Sequence, residues 1–150
     1  MQTILPADDP VAASRFVLSV RVYYEDTDAA GVVYYANYLR FCERARTEWL
    51  RAIGFAQQRM LAQDGLAFVV RSVRADYLSP ARLDDALTVV SVIDVLQRAS
   101  MTFGQKILRG DELLFEADVR IACVDWSRGK PAPIPAAVRS QLEKHQYQPT

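Results

Sequence analysis

The chain of 150 residues has very little histidine: the only one, His145, lies in a polar stretch near the C-terminus. Histidine-based metal sites and the Ser–His–Asp or Cys–His triads of many hydrolases place histidine at their centre. We therefore expect no metal site of this kind and no such triad. Any chemistry that this chain performs has to depend on carboxylates, tyrosines and backbone groups.

Cysteine is almost as scarce, with only Cys42 and Cys123, which lie far apart in apolar surroundings. Two buried thiols in a reducing cytoplasm are the favoured interpretation, and a disulfide is the alternative. The N-terminal sequence MQTILPADDPVAASRF has neither a basic n-region nor a sustained apolar stretch, so it predicts no secretory signal. No run approaches the roughly 18 apolar residues of a membrane span, and we expect a cytoplasmic protein without a transmembrane segment.

An excess of one charge is also missing, since Lys+Arg and Asp+Glu number 18 each. A neutral chain has no overall field that would attract nucleic acid or an anionic membrane, so we expect no nucleic-acid partner. An anionic ligand would have to be held by a local group of basic residues.

The apolar periodicity changes several times along the chain. Residues 1–13 predict a flexible N-terminal segment, and residues 14–145 predict a single domain. Within it, residues 16–24 alternate as a strand. The residues after Tyr35 carry apolar positions three and four apart, as in an amphipathic helix, and Gly54 is a natural stop.

The second half of the chain has a different character. Residues 57–65 are expected to be a short linking segment, and four strands follow at the spacing of an antiparallel meander. A segment with three prolines then leads into a short polar helix. One long helix has to bury its apolar stripe, and the inner face of the sheet is the only large partner available, so the sequence predicts an α+β fold.

The segment Glu25–Tyr38, EDTDAAGVVYYANY, has three carboxylates within four positions, followed by a glycine and tyrosines. It joins the first strand to the helix, where free backbone N–H groups and the helix dipole favour an oxygen that gains negative charge. A carboxylate there could act as general base or nucleophile, and Gly31 lets a ligand approach the backbone. These features suit attack on a carbonyl carbon. The alternative is that the acidic residues and Asn37 only cap the helix.

As a string, VYYEDTDAAGVVYYANYLRFCERARTEWLR at residues 22–51 resembles the 4-hydroxybenzoyl-CoA thioesterase-like branch of the hotdog superfamily. More narrowly, it is similar to the acyl-CoA thioesterases associated with the bacterial Tol-Pal system. The resemblance extends through AFVVRSVRADYLSPARLDD and IACVDWSRGKPAPIP, and it depends most on the pattern D-x-D-x-x-G-x-V-Y-x-x-x-Y.

The resemblance implies a hotdog fold, a long central helix wrapped by a curved antiparallel sheet of about five strands. It also implies homodimers or homotetramers with active sites at subunit interfaces, which hydrolyse acyl-CoA thioesters without metal or organic cofactor. We expect acyl carrier protein thioesters as a second class of substrate. The family's catalytic aspartate falls on Asp28, as nucleophile or general base. The family's helix start falls on Ala36, which makes Tyr35 the capping position and its N–H an oxyanion donor. We group Gly31 with these catalytic residues and Tyr34 with the substrate-binding ones.

The sequence departs from the Tol-Pal-associated enzymes at Tyr35, where they commonly have histidine. The expected oxyanion donor is the backbone N–H of Tyr35, so this role does not depend on the side chain. Any role of the histidine side chain in selecting the acyl group is not carried over to this chain. Four further residues are candidates for binding CoA. Arg98 and Ser100 match a segment that meets pantetheine and phosphates in the benzoyl-CoA relative, although its next basic residue falls on Ala99. The other two, Arg128 and Lys130, are basic, and the alternative is that they are solvated turn charges.

Two other interpretations remain to be weighed. A non-catalytic acyl-binding or scaffold protein would dock acyl carrier protein or partners in lipid synthesis and envelope assembly, but it would not need Asp28. A hotdog hydratase would need a histidine beside its aspartate, which this chain lacks outside its tail. The helical Glu43 and Glu48 are expected to form ion pairs, with Arg46 and Arg44, rather than to act in catalysis.

Overall fold

A computed structural model describes residues 14–147. The predicted flexible segment, residues 1–13, lies outside this range. Five long strands, one two-residue strand and three helices follow each other, with a 3₁₀ turn at Tyr24–Asp26 between the first strand and the first helix. In chain order they are β1 (Phe16–Arg21), α1 (Asn37–Ala52), α2 (Gln57–Asp64), β2 (Leu66–Tyr77), β3 (Ala86–Leu96), β4 (Ser100–Arg109), β5 (Glu112–Asp125), β6 (Lys130–Pro131) and α3 (Ala136–His145).

The core lies between α1 and the inner face of the sheet, as the pattern predicts. Every second residue of the central strands points inward and is buried, for example Leu87 and Val89 in β3 and Phe103 in β4. The apolar stripe of α1 packs on them and includes Phe41 and Trp49. This arrangement, a helix held in a curled antiparallel sheet, confirms the α+β prediction.

The strand order is β1-β3-β4-β5-β2, with all neighbours antiparallel. Only β3, β4 and β5 form a meander, so the prediction of four consecutive paired strands is wrong for β2. That strand pairs with β5 instead, from Leu66 opposite Asp125 to Tyr77 opposite Phe115. Alternation of apolar residues shows that a segment is a strand but does not select its neighbour, because the pairing partner is distant in sequence.

Residues 57–65 form helix α2 rather than a linking segment. The sequence QQRMLAQD at Gln57–Asp64 consists of good helix formers without glycine or proline, and Met60 anchors it by being buried. Gly65 ends the helix with φ of +67°, the left-handed conformation that favours glycine. The segment has only eight residues, too few for a clear helical periodicity in the sequence.

Strand β2 is an edge of the sheet, and none of its residues is buried. Val70 and Val73 lie opposite Ile121 and Val119 of β5, which are buried on the inner face. Cross-strand partners share a face of the sheet. The two valines nevertheless remain 50% and 43% exposed, so the inner face is apolar but uncovered along this edge.

Both cysteines are buried free thiols, as predicted. Burial raises the pKa of Cys42 to about 12, which makes this thiol unreactive near neutral pH. Among residues 14–147, no helix is both long and apolar enough to cross a membrane.

Candidate active site

The acidic segment folds into a small hairpin ahead of α1. Thr27 forms a bridge with Val33, and the Asp28 N–H donates to the Val32 carbonyl over 2.9 Å. At the tip, the Gly31 N–H donates to the Asp28 carbonyl over 3.0 Å, and Gly31 has φ of +80°. A residue with a side chain rarely adopts this conformation, so the turn itself requires glycine.

The Asp28 side chain lies on the exposed side of this hairpin. Its Oδ1 accepts the Ala30 N–H over 2.9 Å, which fixes the direction of the carboxylate. Within the described part of the chain no lysine or arginine forms an ion pair with it. Asp28 therefore presents an oriented carboxylate that a substrate can reach.

Asp26 has a structural role instead. Its Oδ2 accepts the Tyr23 N–H over 2.8 Å, across the 3₁₀ turn. Its backbone carbonyl accepts two hydrogen bonds of 2.9 Å each, from the Tyr34 N–H and from Nδ2 of Asn37. These contacts join the hairpin to the start of α1, so two aspartates that look alike in sequence have different hydrogen-bond partners in the fold.

Helix α1 begins at Asn37, one residue later than the resemblance implied. Ala36, not Tyr35, occupies the capping position, with φ of −72° and ψ of −20°. The Asn37 N–H donates to the Tyr34 carbonyl over 2.8 Å, and its side chain is only 6% exposed because it reaches Asp26. Asn37 is therefore the first helical residue, so its interpretation as an ordinary cap is wrong.

The backbone amides just before α1 are open. Within residues 14–147, neither the Tyr35 N–H nor the Ala36 N–H has a hydrogen-bond acceptor, and no side chain caps the helix. The Tyr35 ring is 63% exposed and lies 4.9 Å from the ring of Tyr34, between centroids. A ligand can therefore approach two unpaired donors where the helix dipole is positive.

The hairpin pairing relates Asp28 to these amides. Asp26, the last residue of the 3₁₀ turn, accepts the Tyr34 N–H, and Asp28, two residues nearer the hairpin tip, pairs with Val32. An oriented carboxylate and free N–H donors on one side of a reacting carbon are the groups that acyl transfer needs. Asp28 and Gly31 thus lie in the hairpin, and Tyr34 and Tyr35 lie where the hairpin leads into α1.

The candidate CoA-binding residues also lie close together, at one end of β4, β5 and β6. Ser100 is 7% exposed, and its Oγ donates to Gln97 Oε1 over 3.0 Å. Arg98 is exposed. Lys130 lies opposite Asp125, and Arg128 forms an ion pair with Asp125, with 3.8 Å between Nε and Oδ2.

Comparison with known proteins places this geometry in a family. The family model described as "Thioesterase-like superfamily" matches residues 22–142. The chain belongs to this superfamily. The acyl-CoA thioesterase YbgC of Haemophilus influenzae is 47% identical over 125 residues, which are 83% of this chain and 92% of the relative.

Solved structures agree with this membership. A probable thioesterase from Bartonella henselae is 40% identical, with a TM-score of 0.76 over 81% of this chain and 99% of its own. A 1,4-dihydroxy-2-naphthoyl-CoA thioesterase from Synechocystis is 26% identical, with a TM-score of 0.80 over 85% of this chain and 95% of its own. The predicted hotdog thioesterase family is thereby confirmed.

In this thioesterase-like chain the catalytic candidates and the CoA candidates lie at opposite ends of β5. Near the hairpin, the ring of Tyr38 stacks on Phe115, with 5.2 Å between centroids. Ser100 lies opposite Ala122, seven residues farther along β5, a distance of about 23 Å along the strand. A single chain therefore does not bring the two groups of residues together.

A buried polar network in the thioesterase core was missed in the sequence. Arg46 is only 8% exposed, and its Nη1 donates to Gln105 Oε1 over 2.9 Å. Nε2 of Gln105 donates in turn to the Cys42 carbonyl over 3.0 Å and to Ser91 Oγ over 2.8 Å. The only signals in the sequence were two polar residues at inward positions, Gln105 in β4 and Ser91 in β3. Neither indicates that Arg46 is the partner.

Glu48 forms an ion pair as predicted, but the predicted partners of the helical glutamates are wrong. Glu48 pairs with Arg51 rather than with Arg44, whose guanidinium carbon lies 6.0 Å from the centre of the Phe41 ring. Arg46, the predicted partner of Glu43, points into the core and bonds Gln105. Spacing on a helix makes a pair possible, but the direction of each side chain depends on the sheet beneath it.

Proposed function

We propose that this protein hydrolyses acyl-CoA thioesters to free acid and CoA. The observation that carries the proposal is the hairpin of residues 26–34, which orients the exposed carboxylate of Asp28 and leads directly into two amides without acceptors. Membership of the thioesterase-like superfamily and the acyl-CoA thioesterases among its relatives support it.

Two routes use the same groups. As a nucleophile, Asp28 bonds to the thioester carbon, the C–S bond breaks, and water then hydrolyses the resulting anhydride. As a general base, Asp28 takes a proton from water while the water oxygen bonds to that carbon, and the proton passes to the departing CoA thiolate. In both routes the N–H groups of Tyr35 and Ala36 receive the carbonyl oxygen as it becomes negative.

We propose that the complete site forms between two copies of the chain, in a homodimer or a homotetramer. Two-fold symmetric, antiparallel pairing of two β2 strands sets the Leu66 end of one beside the Tyr77 end of the other. The Leu66 end adjoins Asp125 and the CoA candidates, and the Tyr77 end adjoins the hairpin with Asp28. This pairing would also cover Val70 and Val73.

In this arrangement, Arg98, Ser100, Arg128 and Lys130 bind the phosphates and pantetheine of CoA, and Tyr34 lines the site. The acyl group would enter a cavity of about 280 Å³ beneath the edge strand, whose apolar lining includes Phe68, Met101 and Phe103. We propose a cytoplasmic location, a domain spanning residues 14–145, and acyl carrier protein thioesters as a second class of substrate. The association with the Tol-Pal system stays a prediction.

The first test is release of thiol from a panel of acyl-CoAs, from short aliphatic to long and aromatic, by the wild type and by Asp28→Asn. We expect turnover by the wild type and loss of at least about a hundredfold in the variant, with an unchanged circular dichroism spectrum. If the wild type binds but does not turn over CoA and carrier-protein thioesters, the proposal fails and a binding or scaffold role replaces it.

A further inference from the structure

Two hydrogen bonds set the directions of the two open amides. A trans peptide is planar, with its N–H and C=O pointing in opposite directions. Since the Tyr34 carbonyl accepts the Asn37 N–H over 2.8 Å, the direction of the Tyr35 N–H is fixed. The next peptide group, between Tyr35 and Ala36, is held by a residue of strand β2. Its carbonyl, that of Tyr35, accepts a hydrogen bond from the Tyr77 hydroxyl over 2.9 Å, which fixes the direction of the Ala36 N–H.

These two restraints differ in kind. The Asn37 bond belongs to the first turn of the helix, so it forms whenever the helix forms. Tyr77 is the last residue of β2 and is 42 positions from Tyr35 in sequence. Its hydroxyl therefore ties the helix entrance to the edge of the sheet, and the second amide depends on tertiary structure.

The ring of Tyr77 is oriented by aromatic neighbours on three sides. Its centroid lies 4.9 Å from that of Phe115, 5.4 Å from that of Tyr38 and 6.4 Å from that of Tyr35, all with steeply inclined planes. Edge-to-face contacts of this kind are favourable and restrict rotation of the ring. The hydroxyl is therefore held at its acceptor before any substrate arrives.

The hydroxyl also stays a donor. Partial burial, together with the neighbouring tyrosines, raises the pKa of Tyr77 above its usual value near 10. The group is thus protonated throughout the physiological range. A hydrogen bond to a peptide carbonyl polarises that peptide and strengthens its N–H as a donor.

We propose that Tyr77 is a positioning residue of the oxyanion site, whose hydroxyl aims and polarises the Ala36 N–H through the Tyr35 carbonyl. This inference rests on the proposed hydrolysis of thioesters. Tyr77 itself does not touch the reacting atoms. Its contribution becomes important as negative charge develops on the carbonyl oxygen, so it acts on kcat more than on substrate binding.

The test is Tyr77→Phe, which removes the hydroxyl and keeps the ring among its neighbours. We expect kcat to fall about tenfold, the effect of one neutral hydrogen bond, with KM within about twofold of the wild type. The matched control is Tyr24→Phe, which removes a hydroxyl from an 82% exposed ring in the neighbouring 3₁₀ turn. This control should keep the wild-type kcat.

A second readout separates positioning from a general loss of structure. Asp28→Asn should bind intact acyl-CoA, and the infrared stretch of its ¹³C-labelled thioester carbonyl should lie lower when bound than when free. Adding Tyr77→Phe should reverse part of this shift without weakening binding. A role of Tyr77 in stability alone would leave the frequency of the bound carbonyl unchanged.

The outcomes distinguish the two proposals. If Tyr77→Phe has wild-type kcat and an unchanged carbonyl frequency while Asp28→Asn is inactive, the role of Tyr77 is wrong and the proposed hydrolysis stands. If the wild type hydrolyses none of the thioesters, both are wrong, because no oxyanion then forms for the amides to stabilise.

Discussion

Nδ2 of Asn37 lies 2.9 Å from the backbone carbonyl of Asp26 and links the first residue of α1 to the base of the hairpin that carries Asp28. The same carbonyl accepts the Tyr34 N–H, so one oxygen holds both the hairpin and the entrance to the helix. Because Asn37 is 6% exposed, its amide cannot exchange this contact freely for water. This bond therefore ties the hairpin that carries Asp28 to the start of α1, and we expect the position of Asp28 to depend on it.

Replacing Asn37 by leucine should test that dependence. The variant keeps the volume and loses the donor, which leaves the partly buried carbonyl of Asp26 with one hydrogen-bond partner fewer. We expect the free energy of unfolding in urea to fall by about 1–2 kcal/mol and kcat to fall with it. The exposed amide of Gln58 in α2 offers a control, since Gln58→Leu should change neither the free energy of unfolding nor kcat. Equal stability of Asn37→Leu and the wild type would contradict the structural role.

The stability of the core should be sensitive to the buried pair of Arg46 and Gln105. Burial lowers the pKa of Arg46, and Gln105 supplies the acceptor for its guanidinium inside the core. Gln105→Leu removes this acceptor from a charged group, so we expect a loss of about 2–4 kcal/mol by urea unfolding.

The double variant Arg46→Met, Gln105→Leu should recover part of that loss, because no buried charge then lacks an acceptor. A thermodynamic cycle built from both single variants and the double variant measures the coupling. If the effects of the two single variants simply add, the network does not act as a unit and this interpretation is wrong.

Asp85 should make stability depend on pH in the acid range. Partial burial acts to raise its pKa, but the Arg82 N–H at 2.8 Å and the Arg109 guanidinium at 2.7 Å outweigh it and hold the pKa below the usual value. The ionised form therefore favours the folded state above pH about 4, the usual value for an unfolded chain. This contribution is lost as the pH falls through the lower, folded-state pKa.

The measurement is the free energy of unfolding between pH 2 and 6 for the wild type and for Asp85→Asn. We expect the wild type to be more stable at pH 6 and the difference to narrow towards pH 2. The loop that contains Asp85 also supports the hairpin, because the Ala81 carbonyl accepts the Val33 N–H. If the difference in free energy of unfolding between the wild type and Asp85→Asn does not change with pH, the charge of Asp85 does not contribute to stability.

The two edges of the sheet should respond differently to an added charge. Val73→Asp places a carboxylate on the uncovered inner face of β2, where we propose that two copies meet. We expect this variant to sediment as a monomer and to lose acyl-CoA hydrolysis. Val17→Asp on the opposite edge strand, β1, is the control and should keep the wild-type assembly. A Val73→Asp dimer with full activity would place the interface elsewhere.

What could be predicted from the sequence was local. Alternation over residues 16–24 indicated β1, spacing of three and four residues indicated α1, and Gly54 marked its end. The resemblance directed attention to Asp28 among three carboxylates. The freedom of a residue without Cβ had already indicated Gly31, whose φ of +80° agrees with the need for glycine. Each of these inferences uses residues only a few positions apart, where geometry follows directly from backbone periodicity.

Tertiary structure alone decided the rest. The pairing of β2 with β5, the bond from Arg46 to Gln105 across 59 positions and the bond from Tyr77 to Tyr35 across 42 join residues that are distant along the chain. Periodicity shows that a residue faces inward but not which group it meets there. By itself, the sequence determined the strands, the long helix and the candidate motif around Asp28, but not helix α2. Packing of the helix against the sheet determined how the open amides are held and why the candidate residues of one chain lie far apart.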